Sequence, residues 1–153
     1  MSAKPAPSEL TAHLGYWLRQ VSNHVSHSFA RKVELHGVTV AEWVLLRHLL
    51  EIEPAAPSRL AESMNVTRGA VSKLADRLIA KSLLLRATDP SDGRAQILSL
   101  TPAARALVPK LAKLADANDA ACFDALPAKD RAALLRILQS LADIHDLKSP
   151  PID

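Results

Sequence analysis

The side chains best suited to chemistry in this 153-residue chain are hydroxyls and cations gathered between Thr67 and Arg94. Thr67, Arg68, Ser72, Lys73 and Arg77 fall within eleven positions, and Arg94 follows a polar turn, "DPSDG". Donors and cations without a nearby nucleophile or metal-ligand set suit anion binding rather than bond breaking. From Thr67 to Arg94, six cations (Arg68, Lys73, Arg77, Lys81, Arg86, Arg94) outnumber three acids (Asp76, Asp89, Asp92). That local excess equals the +3 net charge of the whole chain. The plain alternative is a solvated surface, so the elements carrying these residues must decide.

Enzyme chemistry finds no foothold. There is no nucleophile elbow, phosphate loop, metal motif or pair of carboxylates on one helical face. Asp89 and Asp92 sit in a turn, where turn chemistry accounts for them. No catalytic residue, cofactor or metal is expected. A second candidate patch lies near the N-terminus, where His13, Trp17, Gln20, His24, His27 and Arg31 recur at spacings of three and four. Imidazoles, an indole and a guanidinium on one flank could hold a planar anion, and an interface rim would look the same. His24 and His27 could share a metal, but no cysteine or carboxylate cluster stands beside them. Cys122, the one cysteine, has no cationic neighbour in sequence and reads as a small hydrophobe.

These residues must be positioned by helices. Hydrophobic residues make up 48% of the chain and aromatics only 3%, so the core must be mostly Leu, Ala, Val and Ile. No 18-residue apolar run suggests a membrane span, and "MSAKPAPSEL" has no apolar signal core. With a single cysteine, this predicts a cytoplasmic protein. Residues 1–7 read as a loose tail and "KSPPID" as a frayed end.

One long amphipathic helix is predicted from Ser8 to about Leu35, closed by Gly37. "TVAE" is a capping box opening a second helix, whose wide apolar stripe implies burial and which "EPAAP" ends. Ser58 is expected to cap a short helix over Arg59 to Met64, and Thr67 to cap the next, to about Lys81. Thr101 and Pro102 start a fifth helix, which Pro109 should kink or delay. A sixth begins near Pro127.

A short helix, a tight turn and a second helix make the helix-turn-helix arrangement, whose second helix enters the major groove of DNA. On the helical wheel Val71, Leu74, Ala75 and Leu78 face inward. Gly69, Ser72, Lys73, Asp76 and Ala80 face outward. Asp76 would repel phosphate and is expected to pair with a cation or stand back. A plain helical hairpin would show the same periodicity. The strand, charged turn and strand that follow instead predict a winged helix, with an arginine suited to a narrow minor groove.

At this point "SRLAESMNVTRGAVSKLADRLIAKSLLLRATDPSDGRAQILSLT" resembles the MarR family of bacterial transcriptional regulators. The likeness is specific from Ser58 to Thr101 and looser over the remaining helices. The family's wing reads Asp-Pro-x-Asp-Arg-Arg before a strand ending Leu-Thr. Asp89, Pro90, Asp92, Arg94, Leu100 and Thr101 match it, and Gly93 replaces the first arginine. The resemblance implies a mainly α fold with a small β-hairpin wing: a winged helix-turn-helix with an all-helical dimerisation region.

It also implies one domain over 1–153, with dimerisation helices at 8–36 and 102–147 and the DNA-binding part at 39–101. The implied partners are a second copy, a pseudo-palindromic duplex operator and a small aromatic or phenolic anion, with no membrane. Arg94 becomes the minor-groove residue and Asp92 its support through a salt bridge. The expected DNA-binding set is Ser58, Thr67, Arg68, Gly69, Ser72, Lys73, Arg77, Asp92 and Arg94. The expected effector contacts are His13, Trp17, Gln20 and His24. The function this predicts is a homodimeric repressor released by a small molecule. The alternative is a helical interaction module whose winged helix no longer binds DNA.

Overall fold

Three threonines open three of the helices, and each does so through its hydroxyl. Thr39, Thr67 and Thr101 accept hydrogen bonds from the backbone N–H groups of Glu42, Ala70 and Ala104. The computed structural model describes residues 5–148. Its helices are α1 (Leu14–Glu34), α2 (Val40–Ile52), α3 (Pro57–Met64), α4 (Arg68–Ala80), α5 (Pro102–Phe123) and α6 (Ala128–Ile144). Strands β1 (Leu84–Asp89) and β2 (Asp92–Leu100) form an antiparallel hairpin between α4 and α5. This is the mainly α architecture with a small hairpin that the sequence predicts.

Helix α2 lies at the centre. It packs against α1, α3, α4, α5 and β2. Its Leu45, Leu46 and Leu49 are fully buried with Leu60 and Met64 of α3, Val71 and Leu78 of α4, and Leu84 and Leu98 of the hairpin. Ala104, Val108 and Leu111 of α5 close the same core. The hairpin register pairs Leu84 with Leu100 and Thr88 with Gln96, then becomes irregular at Asp89. Ala55 pairs with Leu98 on the far side of β2, so the segment after α2 acts as a one-residue third strand. Among the described residues no helix is long and apolar enough to cross a membrane.

Four details differ from expectation. The N-terminal helix does not begin at Ser8: a 3-10 turn covers Leu10–Ala12, His13 is extended, and α1 starts at Leu14. Leu10 and Leu14 are 72% and 89% exposed, so continuous helix there would bury nothing in this chain. Local bonds win instead, with Trp17 Nε1–H donating to the Thr11 carbonyl at 2.9 Å. Nor does Ser58 cap the short helix. Pro57 already occupies its first turn, and Ala56 is the cap residue, without a side-chain bond. Proline's fixed φ and missing N–H suit that first position and move the start forward. Pro109 does not delay α5, which begins at Pro102 and runs through it. Finally, Asp92 and Arg94 form no salt bridge, as described below. The expected fray at "KSPPID" falls outside the described residues beyond Lys148, as do residues 1–4 of the N-terminal tail.

Candidate nucleic-acid interface

The order α3, turn, α4 places one helix with its back in the core and its face in solvent. Asn65 ends α3 in the left-handed conformation, and Thr67 starts α4 three residues after Met64. Val71, Leu74, Ala75 and Leu78 are the buried residues of α4, the four the wheel turned inward. Arg68, Gly69, Ser72, Lys73, Asp76, Arg77 and Ala80 are exposed. Thr67 satisfies the Ala70 N–H of the first turn, at a positive helix end. A side chain at Gly69 would meet only the Thr67 hydroxyl, at 4.0 Å, so the start of this helix is bare. Ser58 is exposed at the start of α3.

Asp76, the one acid on this face, is paired. Its Oδ1 accepts from Arg86 of β1 at 2.8 Å. Both partners are solvent-accessible, so the pair adds little stability. What it does is cancel a charge that would oppose phosphate and tie the first strand to α4.

The hairpin tip carries its own small network. Asp89 Oδ1 accepts from both the backbone N–H and the hydroxyl of Ser91, at 2.9 and 2.8 Å. These bonds, the backbone one first, hold the Asp89 carboxyl below its ordinary pKa. Asp92 Oδ1 accepts from the backbone N–H of Arg94 at 3.1 Å. The expected salt bridge is therefore replaced by an Asx-type turn: the short aspartate side chain reaches its neighbouring backbone more readily than a long guanidinium. Asp92 shapes the turn, and among the described residues Arg94 has no ion pair. A side chain at Gly93 would meet nothing within 4 Å.

The expected effector residues do not converge. His13, Trp17, Gln20 and His24 are all exposed along α1 and its leading turn. The His13 ring sits 3.1 Å from the Glu9 carbonyl, and Gln20 donates to the Tyr16 hydroxyl at 3.2 Å. A cavity of about 330 Å³ opens further along α1, against α2 and α5, lined in part by Val25, Phe29, Trp43, Val44 and Asn118. Asn118 is buried, donates to the Val25 carbonyl at 3.2 Å and accepts from Lys32 Nζ at 2.8 Å. In the sequence Asn118 is one member of the α5 stripe with Leu107, Leu111 and Leu114, and a lone amide among leucines is the signal of its role. Among the described residues no cluster of three potential metal ligands forms. Cys122 is partly buried on α5.

Comparison with known proteins agrees with this geometry. The MarR family model matches residues 36–95, from the turn before α2 to the hairpin tip. An uncharacterized HTH-type transcriptional regulator of Bacillus subtilis, YxaD, is 38% identical over 68 residues. That match covers 44% of this chain and 48% of the relative, so the chain spans about half of that protein's length. Among solved structures, the transcriptional repressor CouR bound to a 23-mer DNA duplex superposes with a TM-score of 0.77 at 27% identity. It covers 92% of this chain and 99% of that one. BpsR of Bordetella bronchiseptica, whose DNA binding is regulated by 6-hydroxynicotinic acid, gives 0.75 at 25% identity, covering 90% and 99%. Helix order, wing and family match agree: residues 36–95 carry the helix-turn-helix and wing of the MarR family.

Proposed function

We propose that this chain is a sequence-specific, duplex-DNA-binding transcriptional regulator of the bacterial cytoplasm, a homodimeric repressor released by a small-molecule effector. One observation carries the reading. A helix with a buried back presents Thr67, Arg68, Gly69, Ser72, Lys73 and Arg77, and the hairpin beside it carries near its tip Arg94, which has no ion pair among the described residues. In this reading α4 enters the major groove, Ser58 and the flanking arginines meet phosphates, Asp92 shapes the wing turn and Arg94 enters the minor groove. The DNA-binding part is 39–101, and 8–36 with 102–147 dimerise. Support for the dimer comes from exposed Leu14, Trp17 and Leu18 on α1 and Leu135, Ile137 and Leu141 on α6.

The proposed effector is a small aromatic or phenolic anion. The apolar wall and the Lys32–Asn118 pair favour seating it in the α1–α2–α5 cavity. Asp119 lines the same cavity and opposes a bare carboxylate there, so a phenolic hydroxyl that can donate fits better. His13, Trp17, Gln20 and His24, nearer the start of α1, are the proposed outer contacts.

The test is binding to duplex DNA across a salt series. Affinity should fall steeply with salt, as phosphate neutralisation requires. Replacing Lys73 by Ala should weaken all sequences alike and flatten that slope by about one. Absence of binding at low salt would overturn the proposal in favour of a protein-interaction module.

A further inference from the structure

We infer that α2 holds the two DNA-reading elements in place through carboxylates at its two ends, Glu42 aligning the recognition helix α4 and Glu53 aligning the wing, each largely independent of the other. The inference rests on the DNA-binding reading above and adds two positioning residues to it.

Glu42 stands at the start of α2 and is 1% exposed. Its Oε2 accepts from the Thr39 backbone N–H at 3.0 Å and from Lys81 Nζ at 2.7 Å. Lys81 is the cap residue at the end of α4. A glutamine would satisfy the Thr39 N–H equally well. The acid is needed for the ammonium, and that ammonium belongs to the helix presenting Ser72 and Lys73.

Glu53 is the cap residue at the other end of α2. Its Oε2 accepts from the Leu100 backbone N–H at 2.7 Å, and its Oε1 pairs with Arg105 in the first turn of α5. Arg105 also reaches the Leu100 carbonyl. Two residues on, Ala55 exchanges both backbone hydrogen bonds with Leu98. The last three residues of β2 are thus fixed from outside by the segment that follows α2. A cation in the first turn of a helix is disfavoured by the helix dipole, and Glu53 offsets it. The wing projects from this anchor as a lever. From Leu100 to Arg94 the strand spans roughly 20 Å, so a tilt of about 5° at the base moves the tip by about 2 Å. Such a displacement is enough to lose a groove contact.

A role confined to stability would lower affinity without regard to which DNA contact is also removed. Positioning predicts selective coupling, which a double-mutant cycle reads. The probe is a short duplex with a central A·T tract, whose narrow minor groove favours arginine. Binding by the intact chain is measured by fluorescence anisotropy. In the wild type, Arg94→Ala should reduce affinity on the order of tenfold. In a Glu53→Gln background the same change should cost about twofold or less, while Lys73→Ala keeps its full effect. In Glu42→Gln the pattern should reverse. Arg105→Gln removes the Glu53 ion pair from its other side and should reproduce the Glu53→Gln pattern, including where Glu53→Gln folds poorly. An Arg94 effect of equal size in wild type, Glu53→Gln and Arg105→Gln overturns the inference. An Arg94→Ala change without effect in the wild type overturns the wing's role in DNA binding instead, so the two failures are distinguishable.

Discussion

Helices α2 and α6 are both leucine-rich and amphipathic, yet one chain treats them in opposite ways. α2 buries Glu42, Trp43, Leu45, Leu46 and Leu49, whereas α6 has no buried residue. Leu135, Ile137, Leu138, Leu141 and Ile144 of α6 all remain exposed. The contrast separates two kinds of surface. Around α2 the apolar faces and polar ends find partners within the chain, and that half is complete as it stands. Along α6 and the first half of α1 the apolar stripe has the spacing of an interface but nothing opposite it. A stripe of this kind would be a liability on a monomer and is the expected face of an obligate partner.

The strongest way to break this contrast is to charge the open side. Leu138→Glu should abolish the dimer, seen as a monomer in sedimentation, and weaken duplex binding by about 10²–10⁴-fold through loss of the second recognition helix. Circular dichroism should show the fold retained. A Leu138→Glu protein that stays dimeric would mean that α6 is not the interface.

The converse change probes the closed side. Leu46→Ala should lower the unfolding free energy by about 2–5 kcal/mol without altering oligomeric state. A loss much below that range in denaturant titration would show that the interior relaxes around the cavity. The wing tip gives a finer comparison, since it too is open, in the proposed reading to nucleic acid. Gly93→Arg has room for its side chain and should steepen the salt dependence of binding by about one unit per protomer. An unchanged slope would place residue 93 away from phosphate.

The smallest effect concerns pH. The Ser91 bonds lower the folded-state pKa of Asp89. The turn is therefore most stable above the ordinary carboxylate range and loses that contribution as pH falls through the depressed value. The Ser91 amide resonance should titrate below the usual aspartate midpoint. A midpoint at or above it would mean that the bond does not persist in solution.

What was legible in the sequence depended on range. Thr39, Thr67 and Thr101 each announce a helix within three residues of the bond that makes them caps, and all three form. The inward face of α4 follows from periodicity alone, while charge leaves Asp76 either to pair or to stand back, and the pair with Arg86 is the one that forms. Ser58 failed because Pro57 and the serine compete for one helix start, and composition does not rank them. The break at His13 escaped because an apolar stripe has the same spacing whether or not its own chain covers it. Glu53 read as the punctuation after α2, since Leu100 and Arg105 lie 47 and 52 residues away. Lys81 likewise sits 39 residues beyond Glu42, so the capping box was visible and its ion pair was not. Individual DNA and effector contacts rest on which groups are exposed, and on the tests above.

The pairing of Ala55 with Leu98 has a consequence beyond DNA. A projecting hairpin offers its unpaired backbone groups to any other chain and is a common seed for strand-to-strand aggregation. In this protein the apolar inner part of the β2 edge is occupied by Ala55, and the Leu100 N–H by Glu53. The tip of that strand carries Asp92, Gly93 and Arg94. Charge and glycine there make a poor template for a further strand. Along β2 the wing can therefore stand out from the body without offering a long template, and the features proposed to suit it to a groove also blunt that edge against its own kind.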